Sequence, residues 1–173
     1  YHADNGNDEE KLDKLKACTY NLENGKVVET KVKDDAVFKE KRSANWNARK
    51  FTFPAVKPGS ILEYSYTVTS DFLFNLQPWT FQSDYPCLWS SYDVSIPDFF
   101  SYVFLLQGYL PFDVADKKTG NDVFYVRQRD NEAFSSDQMI KLSTQLNINK
   151  WVMKNIPSIR NEKFLSTQDN YVS

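Results

Sequence analysis

Alternation of apolar and polar residues at period two constrains this 173-residue chain more than any other feature. In ILEYSYTVT, residues 61–69, Leu62, Tyr64, Tyr66 and Val68 share one phase, while Glu63, Ser65, Thr67 and Thr69 share the other. Successive side chains of a strand point to opposite faces, so this pattern predicts a half-buried strand and disfavours a helix. KACTYNLENGKVVETKV, residues 16–32, reads as two strands joined at Asn24-Gly25, the dipeptide suited to a type I′ turn because both positions need positive φ. FTFPAVKPGS, residues 51–60, places Phe51 and Phe53 on one side of a strand, after which Pro58-Gly59 supplies a type II turn. SSYDVSIP puts Ser90, Tyr92, Val94 and Ile96 in one phase. The continuous apolar run in SYVFLLQGY, residues 101–109, predicts a buried strand, and DVADKKTGNDVFYVRQR predicts a hairpin turning across Lys117 to Asp122.

Two segments admit a helix. Asp8 to Lys16 is one candidate. In Ser136 to Leu146, Ser136 could cap a helix carrying Met139, Ile140 and Leu142, yet Ile140, Leu142 and Thr144 also alternate with Lys141, Ser143 and Gln145. The strand reading is preferred there, because the flanking segments are strands and no strong C-cap follows. Short strands at spacings near ten residues describe an all-β fold, an antiparallel β-sandwich with little or no helix. No repeat, low-complexity tract or Pro/Gly/Ser-rich linker divides residues 1–173, so the expectation is a single domain.

Charge narrows the function classes. The 21 Lys+Arg balance 23 Asp+Glu, which excludes a generally basic nucleic-acid binder. The longest apolar run, Tyr102 to Leu106, is far shorter than the ~20 residues of a membrane-spanning helix. Residues 1–14 are polar and charged and do not resemble a signal peptide. Cys18 is in phase with Tyr20 and Leu22, but Cys87 is in phase with Ser91, Asp93 and Ser95, which argues against a bridge between them.

The residues offer little reactive chemistry. A Cys nucleophile needs a positioned base, and the one histidine, His2, lies beside the first residue among polar neighbours. Without His or Cys clusters no metal site is expected, and no cofactor either, since GxGxxG, GxxxxGK[ST] and GxSxG are all missing. Asp34-Asp35 and Asp8-Glu9-Glu10 read as solvated charge. A hydrolytic role would need convergence of two among Asp84, Asp93, Asp98 and Glu63. No catalytic residue is assigned.

Aromatic residues are the unusual component: 13 Phe, 10 Tyr and 4 Trp, with 16 of these 27 in residues 51–110. The connection DFLFNLQPWTFQSDYPCLW, residues 71–89, carries Phe72, Phe74, Trp79, Phe81, Tyr85 and Trp89, and its prolines forbid an uninterrupted helix. These rings either roof the core or form an exposed binding patch. Trp46, in SANWNARK, has polar neighbours and is the more exposed candidate. Trp79, Phe74 and Trp46 are the expected contacts to a partner, acting as apolar anchors.

Four segments in order carry a resemblance: KACTYNLENGKVVETKV, KFTFPAVKPGSILEYSYTVTS, FNLQPWTFQSDYPCLWSSYDVSIPDFFSY and KNIPSIRNEKFLSTQDNY. Together they resemble the domain of unknown function that precedes a transglutaminase-like, papain-fold domain in secreted bacterial proteins. The resemblance implies a β-sandwich, an extracytoplasmic (periplasmic or cell-surface) setting and a non-catalytic, protein-interaction role beside a Cys-His-Asp domain lying downstream. It also implies strands upstream of residue 17, so the chain is expected to be a piece of a longer protein. Cys18 and Cys87 depart from the family pattern and receive no role from it. Two functions are carried forward. One is an accessory domain that packs against, or orients substrate for, the transglutaminase-like domain. The other is a carbohydrate- or peptide-binding module that uses surface aromatics.

Overall fold

The computed structural model describes residues 1, 10–43, 45–70, 76–128 and 138–159. They form eight strands and one 3-10 turn at Asp34–Ala36. The strands are β1 (Lys11–Glu23), β2 (Lys26–Lys31), β3 (Phe38–Lys41), β4 (Asn47–Lys50), β5 (Ile61–Thr69), β6 (Cys87–Pro97), β7 (Val114–Gln128) and β8 (Gln138–Ile156). Every pairing is antiparallel. The fold is therefore all-β and antiparallel, as the alternation predicts, and sheets of this kind are what sandwiches are assembled from. The chain divides into two compact units, Tyr1–Gln77 and Pro78–Ser173.

The first unit holds a three-stranded sheet in the order β2-β1-β5 and a β3-β4 ribbon. Asn24 and Gly25 adopt φ of 51° and 76°, so the β1-β2 hairpin closes through the expected left-handed turn with Glu23 opposite Lys26. At Pro58-Gly59 the Ser60 amide donates to the Lys57 carbonyl at 3.0 Å with Gly59 at φ 88°, a type II turn. That turn is tied to the central strand. The Ser60 hydroxyl donates to Asn21 Oδ1 at 2.5 Å, and Asn21 Nδ2 donates to the Ala55 carbonyl at 2.9 Å. Ala17, Thr19 and Asn21 share one face of β1 and are buried.

Three expectations in this unit are corrected. The helix over Asp8 to Lys16 does not form across 11–16, where β1 runs instead; Asp8 and Glu9 lie outside the described residues. Leu12 pairs with Val68 and Asp13 with Thr67, and a bulge near Lys14, at φ 54°, absorbs the register shift before Lys16. A nine-residue helix has little stability alone, so long-range pairing prevails. The strand expected at Phe51 and Phe53 ends at Lys50, and the two rings meet edge to face at 5.3 Å. Finally, β5 alternates as predicted but is exposed along its whole length instead of half buried, since it forms the margin of a three-stranded sheet.

The second unit is a sheet in the order β6-β8-β7. Its core follows the middle strand, where Val152, Met153 and Ile156 are buried; Ile96 of β6 is buried further along the sheet, opposite Asn147. The segment 138–146 is strand, the preferred of the two readings. The hairpin expected across Lys117 to Asp122 is absent: β7 runs straight through, with Thr119, Gly120 and Asn121 opposite Asn147, Leu146 and Gln145. Gly120 breaks no pairing there. A Cβ on it would lie 3.1 Å from Ile148 Cδ1, so the glycine makes room for a neighbouring side chain and not for a turn. The buried strand expected at 101–109 is an irregular, exposed segment, with Val103 85% and Leu105 82% accessible. The sheet is complete as β6-β8-β7, and this run joins neither of its margins.

Cys18 is buried, Cys87 is half-buried, and both are free thiols. Replacing Gly25 by Ala forces a side chain into a left-handed position and is expected to lower unfolding stability by about 1 kcal/mol. Val152→Ala, at a fully buried site, is expected to cost about 2 kcal/mol through lost burial and a cavity. Urea titrations followed by circular dichroism read both values.

Candidate functional site: an aromatic row on the second sheet

Antiparallel register places Tyr92 of β6 directly opposite Trp151 of β8, and Trp151 opposite Ala115 of β7. In that register Ala115 sets only a methyl group beside the indole. Tyr92 and Trp151 stand 6.0 Å apart with planes 17° from parallel. Trp79, from the irregular stretch ahead of β6, extends the row, with its ring 6.0 Å from Tyr92 and tilted by 12°. Its Nε1 donates to the buried Ser90 hydroxyl at 3.2 Å, which orients the indole along the sheet. Phe104 closes the row against Trp151 at 4.9 Å and 58°. Trp79 is 50% accessible and Phe104 37%, so the row is open to solvent at both ends. Such near-parallel, offset rings add roughly 0.5–1.5 kcal/mol per pair beyond the area they bury.

The structure separates the residues that the sequence singles out. Trp79 stands in the row. Trp46 belongs to the first unit, where its carbonyl accepts the Arg42 and Ser43 amides at 2.8 and 3.2 Å, and its ring is exposed. Phe74 lies outside the described residues. Trp89 points to the opposite face from Tyr92, with the Lys154 ammonium 5.0 Å above its ring, and Tyr85 is exposed elsewhere on the connection. Tyr92, Trp151 and Phe104 were not singled out. Phase along β6 puts Tyr92 with Ser90 and Ile96, but only the β6-β8 register, spanning some sixty residues, reveals Trp151 as its neighbour.

Three of the candidate carboxylates have partners of their own. Glu63 accepts the Tyr20 hydroxyl at 2.8 Å and the Cys18 thiol at 3.8 Å in the first unit. These neighbours, Cys18 first and Glu63 second, push the Tyr20 phenol above its ordinary range. In the second unit Asp93 pairs with Lys150 at 2.9 Å, and Asp98 accepts the Thr144 hydroxyl. Among the described residues no group of three or more His, Cys, Asp or Glu could hold a metal ion. His2 is outside them. The described residues also contain no helix long and apolar enough to cross a membrane. What the row can do is present flat apolar surface to another molecule.

One open cavity of about 420 Å³ occurs in the first unit, lined by Phe38, Arg49, Lys50, Phe51 and Thr52. Lys50 on its rim binds Glu40.

The described residues are all-β and carry an aromatic row on one sheet. Residues 7–135, about three-quarters of the chain, match the model of the domain of unknown function DUF3857, and the chain belongs to that family. The match takes in β1 to β7 and stops before β8, so Trp151 lies beyond it. No curated protein and no solved structure matches the chain.

The hydrogen bond from Lys50, assisted by the charge of Arg42, holds the Glu40 carboxyl below its ordinary range. A depressed carboxyl stabilises the folded state above the unfolded glutamate's pKa and loses that contribution as pH falls through the folded value. A two-dimensional NMR titration is expected to find Glu40 among the most acidic glutamates, and Lys50→Met is expected to return it toward the ordinary midpoint.

Proposed function

We propose that this chain is a non-catalytic accessory β-domain that packs against, or orients substrate for, a transglutaminase-like domain of Cys-His-Asp type in the same, extracytoplasmic bacterial protein. The chain's family is one of unknown function, and the four ordered segments resemble the version that precedes such an enzyme domain. The observation that carries the reading is the row Trp79, Tyr92, Trp151 and Phe104, half open to solvent beside the exposed apolar run 103–106. Contiguous apolar surface of this kind marks an interaction site, and aromatic anchors supply most of the binding energy at such sites. Of the carboxylates in this unit, Asp93 pairs with Lys150 and Asp98 accepts the Thr144 hydroxyl.

A second reading rests on the same rings. Indole and phenol faces that are nearly parallel and partly exposed can stack on sugar rings or on an extended peptide.

Calorimetric titration of this chain with the separately produced transglutaminase-like domain tests the first reading. Saturable binding is expected, weakened about tenfold or more by Trp79→Ala, while Trp46→Ala has a smaller effect. Absence of binding, together with saturable quenching of tryptophan emission by glycans or peptides, would transfer the function to the second reading.

A further inference from the structure

A sheet edge presents unpaired N–H and C=O groups, and proteins protect such edges with charges, prolines or bulges. Most margins here are guarded in that way. β2 carries Lys26, Glu29 and Lys31, β6 carries Asp93 and Pro97, and β7 carries Asp116, Lys117, Lys118 and Asp122. The β3-β4 ribbon is mostly charged. β5 is different: over nine residues it has no lysine, arginine, proline or glycine. Its single charge, Glu63, is engaged by Tyr20 of β1. On one side β5 pairs with β1, and on the other it pairs with nothing among the described residues. Its apolar face is exposed throughout, with Tyr64 and Tyr66 stacked at 6.3 Å and 3°.

We propose that the outer edge of β5 is a dimerisation edge, pairing antiparallel with β5 of a second copy about Ser65. The sequence complements itself in that register. Leu62 falls opposite Val68 and Tyr64 opposite Tyr66 on the apolar face, while Glu63 falls opposite Thr67 and Ile61 opposite Thr69 on the other. Opposite-facing aromatic and β-branched pairs stabilise such ladders, and like charges directly opposite would oppose them. No like charges meet here, because the lone carboxylate faces a threonine. Residues equidistant from Ser65 have the same parity, so whichever alternate set points its backbone outward meets the same set in the partner. The pairing is isologous and closes on itself, joining the two sheets in the order β2-β1-β5-β5-β1-β2. Nine residues give a contact about 30 Å long. A contact made by one strand edge is small, so reversible association is expected, with a dissociation constant on the order of micromolar.

Sedimentation equilibrium of the whole chain from about 1 µM to 1 mM, with the cysteines reduced, is expected to show a monomer–dimer equilibrium within that span. Ser65→Lys puts two ammonium groups opposite each other at the symmetry centre and is expected to raise the dissociation constant at least tenfold, whereas Val27→Lys on β2 leaves it unchanged. In a Cys18→Ser, Cys87→Ser background, Ser65→Cys is expected to form an intermolecular disulfide, because antiparallel partners bring Cα atoms within bridging distance. Thr69→Cys, whose opposite residue is Ile61, is expected not to. The cross-linking comparison stands even where circular dichroism shows Ser65→Lys to be unfolded. A monomer at every concentration, equal dimerisation by folded Ser65→Lys, or equal cross-linking at Thr69 would each overturn the proposal. Capture of a strand from a different protein by a chain that stays monomeric would overturn it too.

Discussion

Over residues 146–152, β8 pairs with β6 on one side and β7 on the other, and the second unit depends on this double ladder. Where both edges of β8 are occupied, its backbone is paired on each side, and Val152 is fully buried. The same ladder sets register, and register decides which side chains meet. A slip by one residue would send Trp151 to the opposite face from Tyr92 and dissolve the aromatic row. The row is thus a product of long-range pairing, and its outer rings, Trp79 and Phe104, come from irregular segments that lean on rings the sheet has already placed.

The first unit shows the same physics with a different outcome. There β1 is central, held by the Asn24-Gly25 hairpin on one side and by β5 on the other. Its buried polar residues are unequally served: Asn21 is satisfied by Ser60 and Ala55, while the fully buried Thr19 hydroxyl has no partner among the described residues. A three-stranded sheet with one short ribbon beside it does not cover all of its apolar surface, and β5 remains exposed. Tyrosine rings at that surface combine apolar area with a hydroxyl that tolerates water, which suits an interface that forms and separates.

Local chemistry explains the features that were legible in the sequence. Asn24-Gly25 and Pro58-Gly59 turn where they should because positive φ is needed and only a few residues adopt it cheaply. Alternation along 61–69 and 90–97 marked true strands for an equally local reason, the two-residue period of the backbone. The errors were failures of context. Thr119-Gly120-Asn121 has turn composition, yet an unbroken partner strand keeps it extended. Residues 101–109 have strand composition, but they join neither margin of the sheet. In the candidate site, Trp79 was visible as a ring in an aromatic connection, while Trp151 looked like an ordinary residue of a distant strand.

Residue order alone determined that this chain is all-β, where its tight turns fall and which side chains share a phase, since these follow from φ preferences and from alternation within a few residues. Tertiary structure decided which phases face outward, which strand lies at a margin and which rings become neighbours. Those outcomes depend on pairing between segments some sixty residues apart, and no local preference encodes the partner.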